Sequence, residues 1–286
     1  MTLRSWLFVP GDSPRKIASA FQSDADALIF DWEDAIGPSN KLGGRATTIS
    51  ALEASECPKQ QVWIRVNGLD TGWFADDIAA LPVERIVGVV IPKCCGPADL
   101  AVLDRLLLER ESTAGMRPGT LKVVAIATET AASVLALSEF RKPVPRLSAI
   151  LWGAEDLAAD MGVINNRDAN GRYRALFQHA RIMALYAAAA TECQAIDAVN
   201  VDFKDLKGLA QECAEARVDG FTSKAAVHPA QIDLINASFS ANAQELSWAS
   251  RVVAALQDDG VAVVDGKMVD APHLRIAHRI LARAQS

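Results

Sequence analysis

Eight short apolar runs punctuate the first 225 residues and constrain the fold more than any other feature. They are SWLFVP (5–10), ALIFDW (27–32), VWIRVN (62–67), VGVVIPK (87–93), KVVAIAT (122–128), SAILWG (148–153), AIDAVN (195–200) and DGFTSK (219–224). Their centres show little polar alternation, the pattern of parallel strands covered on both faces. Between them lie amphipathic segments with helical spacing, such as ADLAVLDRLLLER (98–110), YRALFQHARIMALYAAAA (173–190) and DLKGLAQECAEAR (205–217).

About eight strand–helix units in a chain of 286 residues predict a (β/α)8 TIM barrel. The competing doubly wound sheet usually brings a GxGxxG loop, and none occurs here. The barrel is assigned to residues 1–225. Residues 226–286 form a C-terminal helical and hairpin extension, with Asp265-Gly266 as the hairpin turn and a final basic amphipathic helix. This extension is expected to pack on the barrel and on a neighbouring subunit.

Composition narrows the function classes. Half the residues are hydrophobic and 22% are charged, the balance of an ordinary globular protein. The net charge of −6 gives no basic footprint for nucleic acid. No stretch reaches membrane-spanning length, and the N-terminal MTLRSWLFVPGDSPRK lacks the pattern of a signal peptide. The five cysteines (Cys57, Cys94, Cys95, Cys193, Cys213) lack zinc spacing and are expected as reduced thiols in a cytoplasmic protein.

Ionisable residues recur where the apolar runs end, and in a barrel that is the face where function collects. The ends carry Asp31, Glu33 and Asp34, then Arg65, Lys93, Glu129, Asp156 and Lys224. Glu129 and Asp156 close consecutive runs, so neighbouring strands would bring them within about 5 Å. Carboxylates that close repel unless a cation lies between them. Mg²⁺ suits such a pair, because it keeps waters and substrate oxygens as its other ligands. Alternatively, both acids simply cap helix N-termini.

Arg65 sits in an apolar strand, where it either makes a structural ion pair or presents its fork to an anionic substrate. Lys93 poses the same choice, with the structural role preferred. Arg15 and Lys16 open a helix after a Pro-Gly turn, a place for a phosphate or for solvated charge. Asp31, Glu33 and Asp34 are read as caps or as groups ordering a metal's waters. His228, in VHPAQI, is read as a structural turn residue without a zinc partner, and no G-x-S-x-G elbow is present.

A series of motifs then appears in order: RSWLFVPG, ALIFDWEDAIGPSNK, WIRVN, VVIPK, ATET, LWGAEDLAADMG, GFTSKAAVHPAQI and GKMVDAP. With them the chain resembles the HpcH/HpaI aldolase and citrate lyase superfamily, in particular the citrate lyase β-subunit-like proteins. The resemblance runs essentially end to end. It implies a Mg²⁺-dependent carbon–carbon lyase on a TIM barrel, a homotrimer or hexamer. The expected reaction cleaves or forms a 3-hydroxyacyl-coenzyme A thioester, such as malyl- or citramalyl-coenzyme A, yielding a 2-oxo acid and an acyl-coenzyme A.

By the same resemblance Glu129 and Asp156 are the metal ligands, with Glu129 also beside the substrate. Arg65 binds substrate and stabilises an oxyanion, while Phe8 and Arg15 contact coenzyme A or substrate. Asp270 of GKMVDAP is similar to an aspartate that relatives insert into the adjacent subunit's site, where it would act as general base. Trp32 stands where relatives carry a smaller apolar residue, and the PKCCGP loop is unusual; both bear on pocket shape. The competing functions are a citrate lyase β subunit acting on citryl-acyl-carrier protein, a class II pyruvate aldolase, and a non-catalytic ligand-binding barrel.

Overall fold

The computed structural model describes residues 2–55, 58–257 and 260–284. Eight parallel strands close on themselves in sequence order: β1 (Ser5–Pro10), β2 (Ala27–Asp31), β3 (Gln61–Arg65), β4 (Gly88–Ile91), β5 (Lys122–Ile126), β6 (Leu147–Leu151), β7 (Gln194–Asp197) and β8 (Ser223–Ala226). Helices alternate with them, so the chain is a TIM barrel.

The period of two along each strand sorts side chains between two cores. Trp6, Ala27, Ile29, Trp63, Val90, Val124, Ile126, Ala149, Leu151, Ile196 and Ala225 fill the barrel interior. The alternate residues, among them Leu7, Leu28, Phe30, Ile64, Val89 and Ile91, face the helices. Inside, the rings of Trp6 and Trp63 lie 5.3 Å apart. Gly88 makes room for Trp63, since a Cβ there would stand 2.8 Å from the Trp63 ring and 2.0 Å from the Lys122 carbonyl oxygen.

The eighth strand begins later than the apolar run predicts. Asp219 ends the helix Leu206–Asp219, and Gly220 closes it in the left-handed conformation at φ 112°. Lys224 is therefore the second residue of β8 and does not project from its end. It faces outward, fully buried, toward Asp197 at 2.7 Å and Glu212 at 3.1 Å.

The helix Ile232–Phe239, just past residue 225, contributes Ile232, Ile235 and Phe239 to the outer core of the barrel. Beyond it lie the helix Ala243–Ala255, an antiparallel hairpin of β9 (Val261–Val264) and β10 (Lys267–Asp270), and the helix Ala271–Ala284. Asp265 and Gly266 turn the hairpin with φ of 50° and 72°. These last elements share a small core of Ala249, Val252, Leu256, Val264, Val269 and Ala277. Among the described residues no helix is long and apolar enough to cross a membrane. Cys94, Cys95, Cys193 and Cys213 are free thiols, and Cys57 lies outside the described residues.

Candidate active site at the barrel mouth

Asp31 and Arg65 are register partners at the ends of β2 and β3. Both continue the inward-facing series, Ala27–Ile29–Asp31 and Trp63–Arg65, so both side chains enter the mouth of the barrel. There Asp31 accepts two hydrogen bonds from Arg65, Nε to Oδ1 and Nη2 to Oδ2, each 2.7 Å. The same carboxylate accepts the backbone N–H groups of Glu33 and Ala35, which fixes the loop after β2.

One edge of the guanidinium is thus committed. Nη1 is left facing the mouth, 2.9 Å from Glu33 Oε2, 3.7 Å from Asp34 and 3.8 Å from Glu129 Oε1. Phe8, from β1, lies over the guanidinium at 5.1 Å.

Glu129 follows β5 and is buried. Its Oε2 accepts the backbone N–H of Lys93 at 2.6 Å. Gly153, after β6, leaves the space that Glu129 occupies, because a Cβ there would come within 2.9 Å of Glu129 Cγ. Asp156 sits in the first turn of the helix Glu155–Asp160, half-buried, with Oδ1 3.5 Å from Lys93 Nζ. The acids around it point elsewhere. Glu155 accepts from Asn166, and Asp160 accepts the N–H of Ala131. Of the cluster in GAEDLAAD, Asp156 is the member joined to the mouth residues.

Lys93 is the contact that sequence reasoning undervalued. It adopts φ 52°, its N–H donates to Glu129 and its ammonium lies 2.5 Å from Glu33. A second set of contacts was not foreseen. Lys41 donates from Nζ to the carbonyl oxygens of Trp32 and Glu33 and to Asn67 Oδ1. Asn67 in turn donates to Trp32 O and to Asp77, which is paired with Arg45 at 2.6 Å. The signal for Asn67 was its place at the end of the VWIRVN run, while Lys41 opens a helix nine residues past ALIFDW and had none; in neither case does the spacing say which groups they reach.

The electrostatics follow from burial and charge count. Burial alone would raise Asp31, yet the Arg65 guanidinium outweighs it and holds the carboxyl below its usual range. Burial pushes Glu33 upward, only partly opposed by Arg65 and Lys93. Glu129 is pushed up to about 8, first by burial and then by the carboxylates of Glu33 and Asp156, against Arg65 and Lys93. The mouth holds five carboxyl groups (Asp31, Glu33, Asp34, Glu129, Asp156) against three cations (Lys41, Arg65, Lys93), so negative charge is in excess even while Glu129 keeps its proton. Buried Glu33 Oε2 also lacks a well-formed hydrogen bond. An excess of negative charge in a partly dry site is where a divalent cation fits. Among the described residues no three His, Cys, Asp or Glu side chains form a ready cage. Two carboxylates with the remaining positions left to water and substrate suit a hard, hydrated ion.

The other expected residues fall as follows. Arg15 is exposed in the first turn of the helix Pro14–Phe21. Asp270 ends β10 in the extension, where Oδ1 lies 2.7 Å from His273 Nδ1. Trp32 does not line the mouth. It is fully buried on the helix side, donating to Thr48, and Gly11 packs against it with no room for a Cβ. His228 caps the turn Pro229–Gln231 and stacks on Phe203 at 4.6 Å. A cavity of about 1940 Å³ lies elsewhere, between the helices Ala175–Ala190 and Leu206–Asp219, and none of the mouth carboxylates lines it.

A closed barrel with an arginine and paired acids at the C-terminal mouth defines an enzyme scaffold of the TIM-barrel class. Residues 4–229 match the family model of the HpcH/HpaI aldolase/citrate lyase. The chain is 34% identical over 288 residues to a (3S)-malyl-CoA thioesterase of Cereibacter sphaeroides, covering 99% of this chain and 95% of that protein. It is 32% identical over 280 residues to a citrate lyase subunit beta-like protein of Mycobacterium tuberculosis, covering 98% and 94%. Among solved structures it resembles CitE from Mycobacterium tuberculosis in complex with magnesium, acetoacetate and coenzyme A. The TM-score is 0.79 at 30% identity, covering 100% of this chain and 99% of that one. The chain belongs to the HpcH/HpaI aldolase/citrate lyase family.

Proposed function

We propose that this protein is a Mg²⁺-dependent carbon–carbon lyase that cleaves, or in reverse forms, a 3-hydroxyacyl-coenzyme A thioester of the malyl or citramalyl type. The products of cleavage are a 2-oxo acid and an acyl-coenzyme A. The observation that carries this reading is the meeting of Arg65, Glu129 and Asp156 in one mouth with an unmatched negative charge. Relatives that hold magnesium with acetoacetate and coenzyme A, or with oxaloacetate, support the ligand class.

In this reading Glu129 and Asp156 hold the Mg²⁺, which supplies Lewis-acid polarisation of the hydroxy acid's oxygens. Arg65, pinned by Asp31, turns Nη1 to the substrate and offsets charge that develops on oxygen. Such a preorganised group typically contributes about 10²–10³ in rate. Asp270 of a neighbouring chain takes the hydroxyl proton. The carbon–carbon bond then breaks, its electron pair passes to the thioester as an enolate, and a proton taken up by that enolate completes the acyl-coenzyme A. Phe8, stacked on Arg65, and Arg15, at the rim helix, bind the coenzyme A portion of the substrate. The assembly that brings Asp270 to the site is a homotrimer or hexamer.

A second reading is hydrolysis of the same thioester to a free hydroxy acid, favoured by the likeness to the (3S)-malyl-CoA thioesterase. Incubating malyl- and citramalyl-coenzyme A with and without Mg²⁺, and analysing the products, separates the two. Appearance of glyoxylate or pyruvate with a short acyl-coenzyme A supports the lyase. Free coenzyme A with malate or citramalate, and no 2-oxo acid, overturns it.

A further inference from the structure

Lys93 touches both candidate metal ligands, with two different groups. Its backbone N–H donates to Glu129 Oε2 at 2.6 Å. Its ammonium lies 3.5 Å from Asp156 Oδ1, 2.5 Å from Glu33 Oε1 and 4.0 Å from Asp34 Oδ2. Lys93 follows the end of β4 in the left-handed conformation, φ 52°.

The three ammonium contacts are unequal. Glu33 is the close partner, while Asp156 is reached at a distance longer than a good hydrogen bond. The ammonium can therefore leave Asp156 without being stranded, because Glu33 and Asp34 still surround it. The side chain is about one-third exposed, and its four-carbon stem has room to move. The backbone N–H has no such freedom, and its hold on Glu129 does not depend on where the ammonium sits.

We propose that Lys93 is a positioning residue whose ammonium stands in for the divalent cation beside Asp156 in the metal-free protein and withdraws onto Glu33 and Asp34 when the cation binds. Its N–H keeps Glu129 in the same orientation throughout. The inference rests on the reading of Glu129 and Asp156 as the metal ligands. Its physical content is competition. Metal binding must break a favourable contact of the free state, so the apparent affinity is lower than the two carboxylates alone would give. A lysine that merely oriented Asp156 for the metal would have the opposite effect on affinity when removed.

The test is Mn²⁺ binding, followed by electron paramagnetic resonance on the full-length protein without substrate near neutral pH. Lys93→Met and Lys93→Gln both keep the backbone N–H and remove the ammonium, and the second serves if the first does not fold. Each is expected to bind Mn²⁺ about tenfold more tightly than the wild type, a coupling of ordinary size between two sites. In wild-type crystals grown with Mn²⁺, the distance from Nζ to Asp156 should exceed that in crystals grown without divalent metal, with the Glu33 contact kept. Unchanged or weaker Mn²⁺ binding in the variants overturns the proposal. Glu129→Gln and Asp156→Asn separate this failure from that of the underlying reading. If they bind Mn²⁺ as well as the wild type, the metal site itself is wrong and the role of Lys93 falls with it. If they lose Mn²⁺ while the Lys93 variants do not tighten, only the stand-in role is lost.

Discussion

Asp31 holds Arg65 by two parallel 2.7 Å hydrogen bonds across adjacent strands, and this grip determines which edge of the guanidinium faces the mouth. The fork matches the carboxylate in a way a lysine ammonium does not reproduce. Arg65→Lys is therefore expected to lower kcat/KM by about 10²-fold or more even though the charge is kept. Asp31→Asn is expected to cost about 3 kcal/mol of stability, the lower range for breaking a buried pair, because Glu33 remains beside Arg65. Steady-state kinetics and urea unfolding check the two effects separately.

Glu129 supplies a pH prediction whose sign is fixed. Its carboxyl is raised from 4.5 to about 8 in the folded, metal-free protein, chiefly by burial. A raised carboxyl favours folding while it is protonated. Its contribution is full below the unfolded value and is lost as pH rises through about 8. Metal-free protein should accordingly gain stability from Glu129→Gln in mildly alkaline solution and little in acid. With Glu129 as the proposed ligand, Mg²⁺ would have to expel this proton, so binding should release close to one proton below about pH 8 and none well above it. Calorimetry in buffers of different ionisation heat measures the proton count; a count independent of pH would contradict the assignment.

Gly153 sets the position of Glu129 by leaving space. A methyl group there would sit 2.9 Å from Glu129 Cγ, so Gly153→Ala should push the carboxylate off the Lys93 N–H. Overpacking of this kind costs about 1–3 kcal/mol. Divalent-metal affinity is expected to fall about tenfold, in line with losing an orienting contact around the proposed metal ligand. Titration with Mn²⁺ reads the change, and an affinity equal to that of the wild type would show that the cradle is not needed.

Asp270→Asn should abolish turnover while leaving metal binding intact, since Asp270 lies in the extension with His273 as its neighbour. If the residue serves an adjacent subunit, mixing this variant with Glu129→Gln by denaturation and joint refolding should restore activity. Some sites in the mixed assembly would then combine an intact Glu129 with an intact Asp270 from the next chain. No recovery over the separate variants would show that Asp270 does not act across subunits.

The alternation of apolar runs with amphipathic segments was enough to specify the barrel, because strands covered on both faces need helices between them. The motifs likewise pointed to Arg65, Glu129 and Asp156 as the residues to examine. What the chain could not tell in one dimension was the facing of each side chain and its partners across the fold. Lys224 looked like a rim residue, but the start of β8 after Gly220 turns it outward onto Asp197 and Glu212. Trp32 looked like a change to the pocket, but its place in the strand alternation puts it against Thr48 on the helix side. Lys93, Lys41 and Asn67 gained their roles only when loops distant in sequence met at the mouth. Local pattern decided which segments became strands and helices. Parity along each strand and closure of the sheet decided which charges meet, because a contact between side chains dozens of residues apart exists only after the ring has closed.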